Sequence, residues 1–482
     1  MLHSNSTTMK KIFIIAASLS IITGCKKDFG DLNVDQKNPS SVPSYTLFSN
    51  AQKNMAYMLA DADPNNNIFR LVTQQWTQVT YTDESNYDLN TRTIPDNWWT
   101  IFYKDCLRDF DEAKKLIPTD AGDAGTQQNQ IAITDIQQVY IYWVLVNTFG
   151  NIPFTTALDA AILFPTYDDA ATIYNTLLTR LDADIAALNA EAGTFREGAD
   201  LIYNGDIGKW KKFANSLKLV MGMVLADSDP AKAKSLVESA APGAFTSNSD
   251  NAVFNFLTSP PNTNPVWVNL IQSGRNDYIP ANTLVNLLKS LNDPRLPLYF
   301  TKDPTGGYSG GIPGSGNNFS SFSHVTDAQT EPDAPFVILD YAEVAFNLAE
   351  ARERGMNVGS TAEDYYNKAI TASIMSWGGV VGDAGTYLAQ PNVKYATASG
   401  DYKEKIARQE YIALYNRGFD AWTVIRRLDY PHMAVPVNAL SDFPVRFTYP
   451  ILEQNINSSN YDAASTAIGG DRVTTKLFWD KY

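Results

Sequence analysis

The chain has 482 residues, 44% of them hydrophobic and 12% aromatic, which is enough to bury one or more large cores. Its net charge of −14 and pI near 4.7 argue against a nucleic-acid partner, because that binding is driven by neutralising phosphates with Lys and Arg. The same balance disfavours a basic surface for anionic lipid.

The N-terminus reads as a targeting signal. Lys10 and Lys11 supply a basic n-region, and Ile12 to Ile22 supply an apolar run too short to span a bilayer, which needs about 20 such residues. Ile22-Thr23-Gly24-Cys25 then has the form of a bacterial lipobox. Residues 1–25 are therefore expected to be a lipoprotein signal peptide, starting at Met1 or Met9, with Cys25 becoming the acylated N-terminus. Several acyl chains anchor stably where one is marginal. With Cys25 lipidated, Cys106 is left without a disulfide partner, so stability has to come from packing. No second spanning segment is read, so the expected attachment is a lipid anchor and not a crossing.

Residues 26–43 are polar and turn-forming, with Asn33, Asp35, Asn38, Pro39 and Pro43, and read as a flexible tether. Beyond it a single domain is expected over 44–482, dominated by helical periodicity. Trp98 and Trp99 open a helix through Phe110 and are assigned to the core. Thr134 to Phe149 is an apolar helix that stops at Gly150. Thr166 to Leu188 is amphipathic behind a capping-box pattern, Thr166-x-x-Asp169. Lys209 to Ala226 follows and is ended by Asp229-Pro230. Further pairs are predicted over Asp340 to Arg354 with Ser360 to Trp377, and over Tyr402 to Asn416 with Phe419 to Arg427. The expected fold class is mainly α, with degenerate tetratricopeptide-like helix pairs forming a scaffold. Between about 248 and 333 the helical period is lost and Pro, Gly, Ser and Asn accumulate, which predicts a loop-rich insert carrying few short strands.

Chemical motifs are scarce. Gly307-Tyr308-Ser309-Gly310-Gly311 matches the G-x-S-x-G nucleophile pattern, but glycine-rich loop stands where a strand and a helix are required. Asp31-x-Asn33-x-Asp35 opens like a calcium loop, yet Gln36 and Val42 occupy the positions that need glycine and a bidentate glutamate. His324 and His432 stand alone, and no zinc, Walker or dinucleotide motif is present. Aromatic residues are the positive signal, because flat rings with a polar tip pack on sugar faces and on apolar peptide side chains alike. Two groups fall outside clean helical faces: Trp76, Tyr81 and Tyr87, and then Trp267, Tyr278 and Tyr308 with Arg275 and Asp277. These eight residues are the candidate ligand contacts, with core packing as the alternative for each ring.

Longer sequence blocks carry a resemblance. They are Leu32 to Pro39, Asn204-Gly205-Asp206 with Trp210 to Leu217, Asn292-Asp293-Pro294-Arg295-Leu296, Phe346 to Ala351, and Ala421-Trp422 with Arg426-Arg427. The C-terminal blocks are Pro444 to Pro450, Glu453 and Asn455, Asn460-Tyr461, and Lys476 to Asp480, where Phe478 replaces a tryptophan common in the family. Together they resemble the SusD/RagB family, and more closely its SusD-like branch of outer-membrane nutrient-binding lipoproteins, over nearly the whole mature chain. The resemblance implies a cell-surface, lipid-anchored and non-catalytic protein that acts as a lid on a SusC-like TonB-dependent barrel and captures a glycan or a peptide. It also implies a structural calcium in some members, although no complete site is readable here and no cofactor is expected. On the residues alone a surface glycoside hydrolase and a structural repeat protein remain alternatives, since a catalytic carboxylate pair depends on spatial separation.

Overall fold

Carboxylates open most of the long helices. The side chains of Asp123, Asp169, Asp206, Asp229, Asp340 and Asp401 accept hydrogen bonds from the backbone N–H groups of Thr126, Thr172, Lys209, Lys232, Glu343 and Glu404. Each cap satisfies an orphan donor and places negative charge at the positive end of the helix dipole. Part of the chain's acidity therefore has a local structural use.

The computed structural model describes residues 42–482, and Ser44–Tyr482 forms one compact unit. The expected signal peptide, the lipidation site Cys25 and the expected tether as far as Ser41 lie outside the described residues. The fold is mainly helical, with helix pairs of tetratricopeptide type. Ser44–Ala60 packs on a continuous run made of Ile94–Thr100, a π-helical stretch Ile101–Leu107, and Arg108–Leu116. The remaining pairs are Ala124–Phe149 with Ala170–Ala187, Ile207–Val224 with Pro230–Ala240, Tyr341–Glu353 with Ala362–Ser376, and Tyr402–Ala413 with Gly418–Leu428. From Ala132 to Phe149 the helix Ala124–Phe149 is buried on every side and forms the centre of the core, with its buried polar side chains, such as Asp135 and Asn147, held by hydrogen bonds.

Three boundaries differ from the sequence reading. The helix expected from Thr166 begins at Ala170, and its cap is Asp169 itself. Thr166 precedes a short ladder between β2 (Ile152–Pro153) and β3 (Tyr167–Asp168), so the expected capping box does not form. The helix expected from Thr134 starts at Ala124, because Asp123 caps a polar first turn that has no apolar period to announce it. Asp229-Pro230 opens the next helix as well as ending the last, with proline in the first turn, where its missing N–H costs nothing.

Short strands join segments distant in sequence. β4 (Ala252–Phe254) pairs antiparallel with β6 (Phe336–Leu339) and so brings together the two ends of the loop-rich insert. Within the insert, β5 (Tyr278–Pro280) pairs with β1 (Trp76–Gln78). The insert also contains the helix Asn282–Ser290, which the sequence reading missed because only Leu284, Val285 and Leu288 bury a face. The glycine-rich loop is a packing device. A Cβ on Gly310 would lie 2.6 Å from the Ala281 backbone, and Gly311 exchanges hydrogen bonds with Pro280 and Asn282 at 2.9 and 2.8 Å.

The core also buries charge, and does so in pairs. Arg417 reaches Glu343 at 2.5 Å, Asp420 at 2.8 Å and Asp340 at 3.3 Å. Arg295 pairs with Asp293 at 2.6 Å and also donates to Gln409 and Ser373. Arg446 joins Asp471 at 2.6 Å to the Phe149 carbonyl at 3.0 Å, and Arg427 bonds Glu350. Buried guanidinium groups persist because several acceptors satisfy each one.

Candidate functional site

The β1–β5 ladder brings the two predicted aromatic groups together across two hundred residues of sequence. Trp76 stands opposite Pro280, Thr77 opposite Ile279 and Gln78 opposite Tyr278. All six residues of the ladder are buried. Trp76 is 2% exposed: its indole N–H donates to the Tyr415 hydroxyl at 3.0 Å, and its ring lies against the Arg70 guanidinium and Tyr278. It is a core residue. Tyr87 is buried too, in a left-handed backbone conformation with φ 66°, and its hydroxyl accepts from the Gln74 amide.

Four of the eight candidates line one recess: Tyr81, Arg275, Asp277 and Tyr278, joined there by Pro64, Gln78 and Arg92. Tyr81 is 61% exposed and presents an open ring. Tyr278 is buried, and its hydroxyl has no hydrogen-bond partner among the described residues. Burial, with Asp277 and Asp63 nearby, pushes that phenol well above its ordinary value, so it stays a neutral donor. Arg275 Nε lies 2.6 Å from Asp277 Oδ2 at the surface. Trp267 and Tyr308 are half-buried and stand outside this lining. Trp267 opens the π-helical turn Val268–Gln272, which exposes Val268 and Ile271, and the Asn269 amide ties that turn to Asp61 at 3.1 Å. The carbonyl of Tyr308 accepts from Lys289 at 2.9 Å.

Sequence reasoning missed Pro64, Gln78 and Arg92. Arg92 is bound to the buried Glu84, which also accepts from Gln78 Nε2 at 2.5 Å, and Gln78 Oε1 in turn accepts from Ser85 N at 3.0 Å. This network stiffens the loop that carries Tyr81. No local signal marks it, because polar residues in a turn look alike whether they face water or one another. The exposed Tyr81 ring and the Arg275–Asp277 ion pair at the lip can stack on a sugar face and bond its hydroxyls, whereas the Tyr278 hydroxyl is enclosed behind them. The recess holds no nucleophile hydrogen-bonded to a base. His324 stacks on Phe319 with ring centroids 3.9 Å apart, and His432 is exposed. Among the described residues no group of three or more His, Cys, Asp or Glu side chains could hold a metal ion, and no helix is long and apolar enough to cross a membrane.

Comparison with known proteins agrees with the fold. No curated relative matches the sequence. A solved chitin-binding protein is 25% identical with a TM-score of 0.80, covering 91% of this chain and 100% of its own. A SusD homologue from Parabacteroides distasonis is 22% identical with a TM-score of 0.79, over 91% of this chain and 98% of its own. A chitin-binding SusD homologue from Flavobacterium johnsoniae is 22% identical with a TM-score of 0.77, over 90% and 98%. The SusD-like family model, described as starch-binding associating with outer membrane, matches residues 36–450, and the chain belongs to that family.

Proposed function

We propose that this SusD-like protein captures an oligosaccharide at the cell surface and delivers it to a SusC-like TonB-dependent barrel in the outer membrane. The observation that carries the reading is the recess beside the β1–β5 ladder, whose lining includes the exposed Tyr81 ring and the Arg275–Asp277 pair at the surface. The chitin-binding protein 25% identical to this chain supports a sugar ligand. Stacking on Tyr81 supplies affinity for any sugar face, while Arg275 and Asp277 select the pattern of hydroxyls. The role is binding without bond cleavage. Lipidation at Cys25 holds the protein to the outer membrane, and closure over the barrel follows from tighter binding of the liganded form to the closed arrangement.

The test is calorimetric titration of the detergent-solubilised full chain with chito-oligosaccharides, malto-oligosaccharides and peptide pools. A saturable sugar isotherm that Tyr81→Ala weakens, with no reducing ends released on incubation, supports the reading. Sugar binding unchanged in Tyr81→Ala, or sugar cleavage, overturns it. Co-purification of a barrel from native membranes tests delivery.

A further inference from the structure

A second cavity has the features of a ligand site and shares no residue with the first. It is a cleft of about 550 Å³ bounded by the helices Arg108–Leu116, Ala124–Phe149 and Ala170–Ala187 and by the loop after Pro153. We propose that this cleft binds a carboxylate-bearing sugar, a uronate unit of an acidic glycan.

Asp135 is buried and serves two cations: Lys114 bonds it, and Arg180 donates at 2.6 and 2.9 Å. Gln138 Oε1 accepts from the same pair, at 2.9 Å from Lys114 and 3.2 Å from Arg180. The next carboxyl, Asp184, adds no second negative charge, because burial and the neighbouring Asp135 push it up to about 9 and keep it protonated at neutral pH. Two cations therefore share one anion, and positive charge is left over beneath the cleft.

Rings and an idle hydroxyl complete the set. The Phe154 and Tyr142 rings meet edge to face at 4.8 Å, with the Arg180 guanidinium over Phe154 at 5.9 Å. Tyr142 is only 3% exposed, lines the cleft, and has a hydroxyl that bonds nothing among the described residues. Arg108 is an exposed guanidinium on the lining with no hydrogen bond or ion pair among the described residues. A uronate offers what these groups lack: a carboxylate for Arg108 and the excess charge, an apolar ring face for Phe154, and hydroxyls for Tyr142. Of the lining acids, Asp111 and Glu112 share the single cation Lys115 at 2.6 and 4.0 Å, and Asp159 has no ion pair among the described residues, so these carboxylates oppose an anionic ligand at the mouth and confine its carboxylate to Arg108 and the floor.

The probe is an oligogalacturonate titrated calorimetrically into the detergent-solubilised full chain, with a neutral gluco-oligosaccharide as reference. Saturable binding that weakens with salt is expected, with about a tenfold loss in Arg108→Gln. About fivefold loss is expected in Tyr142→Phe, which removes one atom and keeps the ring contacts. Asp159→Asn should tighten binding, and the losses in Arg108→Gln and Tyr142→Phe should persist when Tyr81→Ala has disabled the first recess, which separates failure of this site from failure of the first. In that Tyr81→Ala background, no saturable binding, equal affinity for the neutral sugar, or binding indifferent to Arg108→Gln and Tyr142→Phe overturns the proposal.

Discussion

The helical scaffold and the loop face use the same residue types in opposite ways. In the scaffold, Arg417 is enclosed by Glu343, Asp420 and Asp340 and donates to Glu343, Asp420 and the Ile338 carbonyl. On the loop face, Arg275 meets Asp277 at the surface, with more than half of the arginine side chain open to solvent. The rings follow suit: Trp76 and Tyr81 sit five residues apart on one segment, the first 2% exposed and the second 61%. What separates structure from binding in this protein is therefore whether a group is already satisfied, and residue type says little about it.

The sharpest way to break that distinction is Arg417→Ala. Its removal leaves buried carboxylates uncompensated, and a loss of about 5 kcal/mol in denaturant unfolding is expected. A loss below about 1 kcal/mol, the range of exposed pairs, would place this arginine with surface charge. Trp76→Ala comes next. It empties a buried indole site and orphans the Tyr415 hydroxyl, with about 4 kcal/mol expected in the same measurement.

The sequence marks neither position as structural: Arg417 falls between two predicted helices, and Trp76 stands among the candidate ligand contacts. Among the described residues the blocks that carry the family resemblance reach the interior: Arg295 and Arg446 are fully buried, Trp422 donates to the Pro444 carbonyl, and the Arg426 guanidinium lies 3.4 Å from the centroid of the Trp422 ring. Periodicity located the helix pairs because a buried stripe repeats every three or four residues. It said little about their starts, where single aspartates decide the boundary. The binding face was legible only in part. Chain regions rich in rings were identifiable, but Trp76 and Tyr87 turn inward, while Pro64 and Arg92 join the recess through a strand pairing that no local pattern announces.

A pH experiment sharpens the comparison from within the scaffold. Asp184 has a folded value near 9 against an unfolded value of about 4, so the folded protein retains a proton that the unfolded chain releases. Its contribution to stability is complete below about pH 4 and is lost as pH rises towards 9, a fall on the order of a few kcal/mol. Asp135 behaves in the opposite sense. Burial opposes its ionisation, but Arg180 and Lys114 hold it at about 2, so its contribution is present above about pH 4 and is lost only as pH falls through that value. Denaturant unfolding between pH 5 and 9 should therefore show a decline that Asp184→Asn makes shallower, since asparagine mimics the neutral acid, the remainder coming from Glu343 and Glu410, which burial raises to about 8.

Tyr81→Ala has the smallest expected effect on stability and bears most directly on function. The ring is mostly in solvent and makes no aromatic contact, so unfolding should shift by no more than about 0.5 kcal/mol. Sugar affinity should nevertheless fall by about tenfold, the cost of one stacked ring. Tyr81→Phe keeps the stacking face and should retain most of the affinity, which distinguishes a ring platform from a hydroxyl contact. If alanine lowered stability and affinity together, Tyr81 would belong with Trp76 as a structural ring, and the division between satisfied scaffold and open face would fail where the two lie closest in sequence.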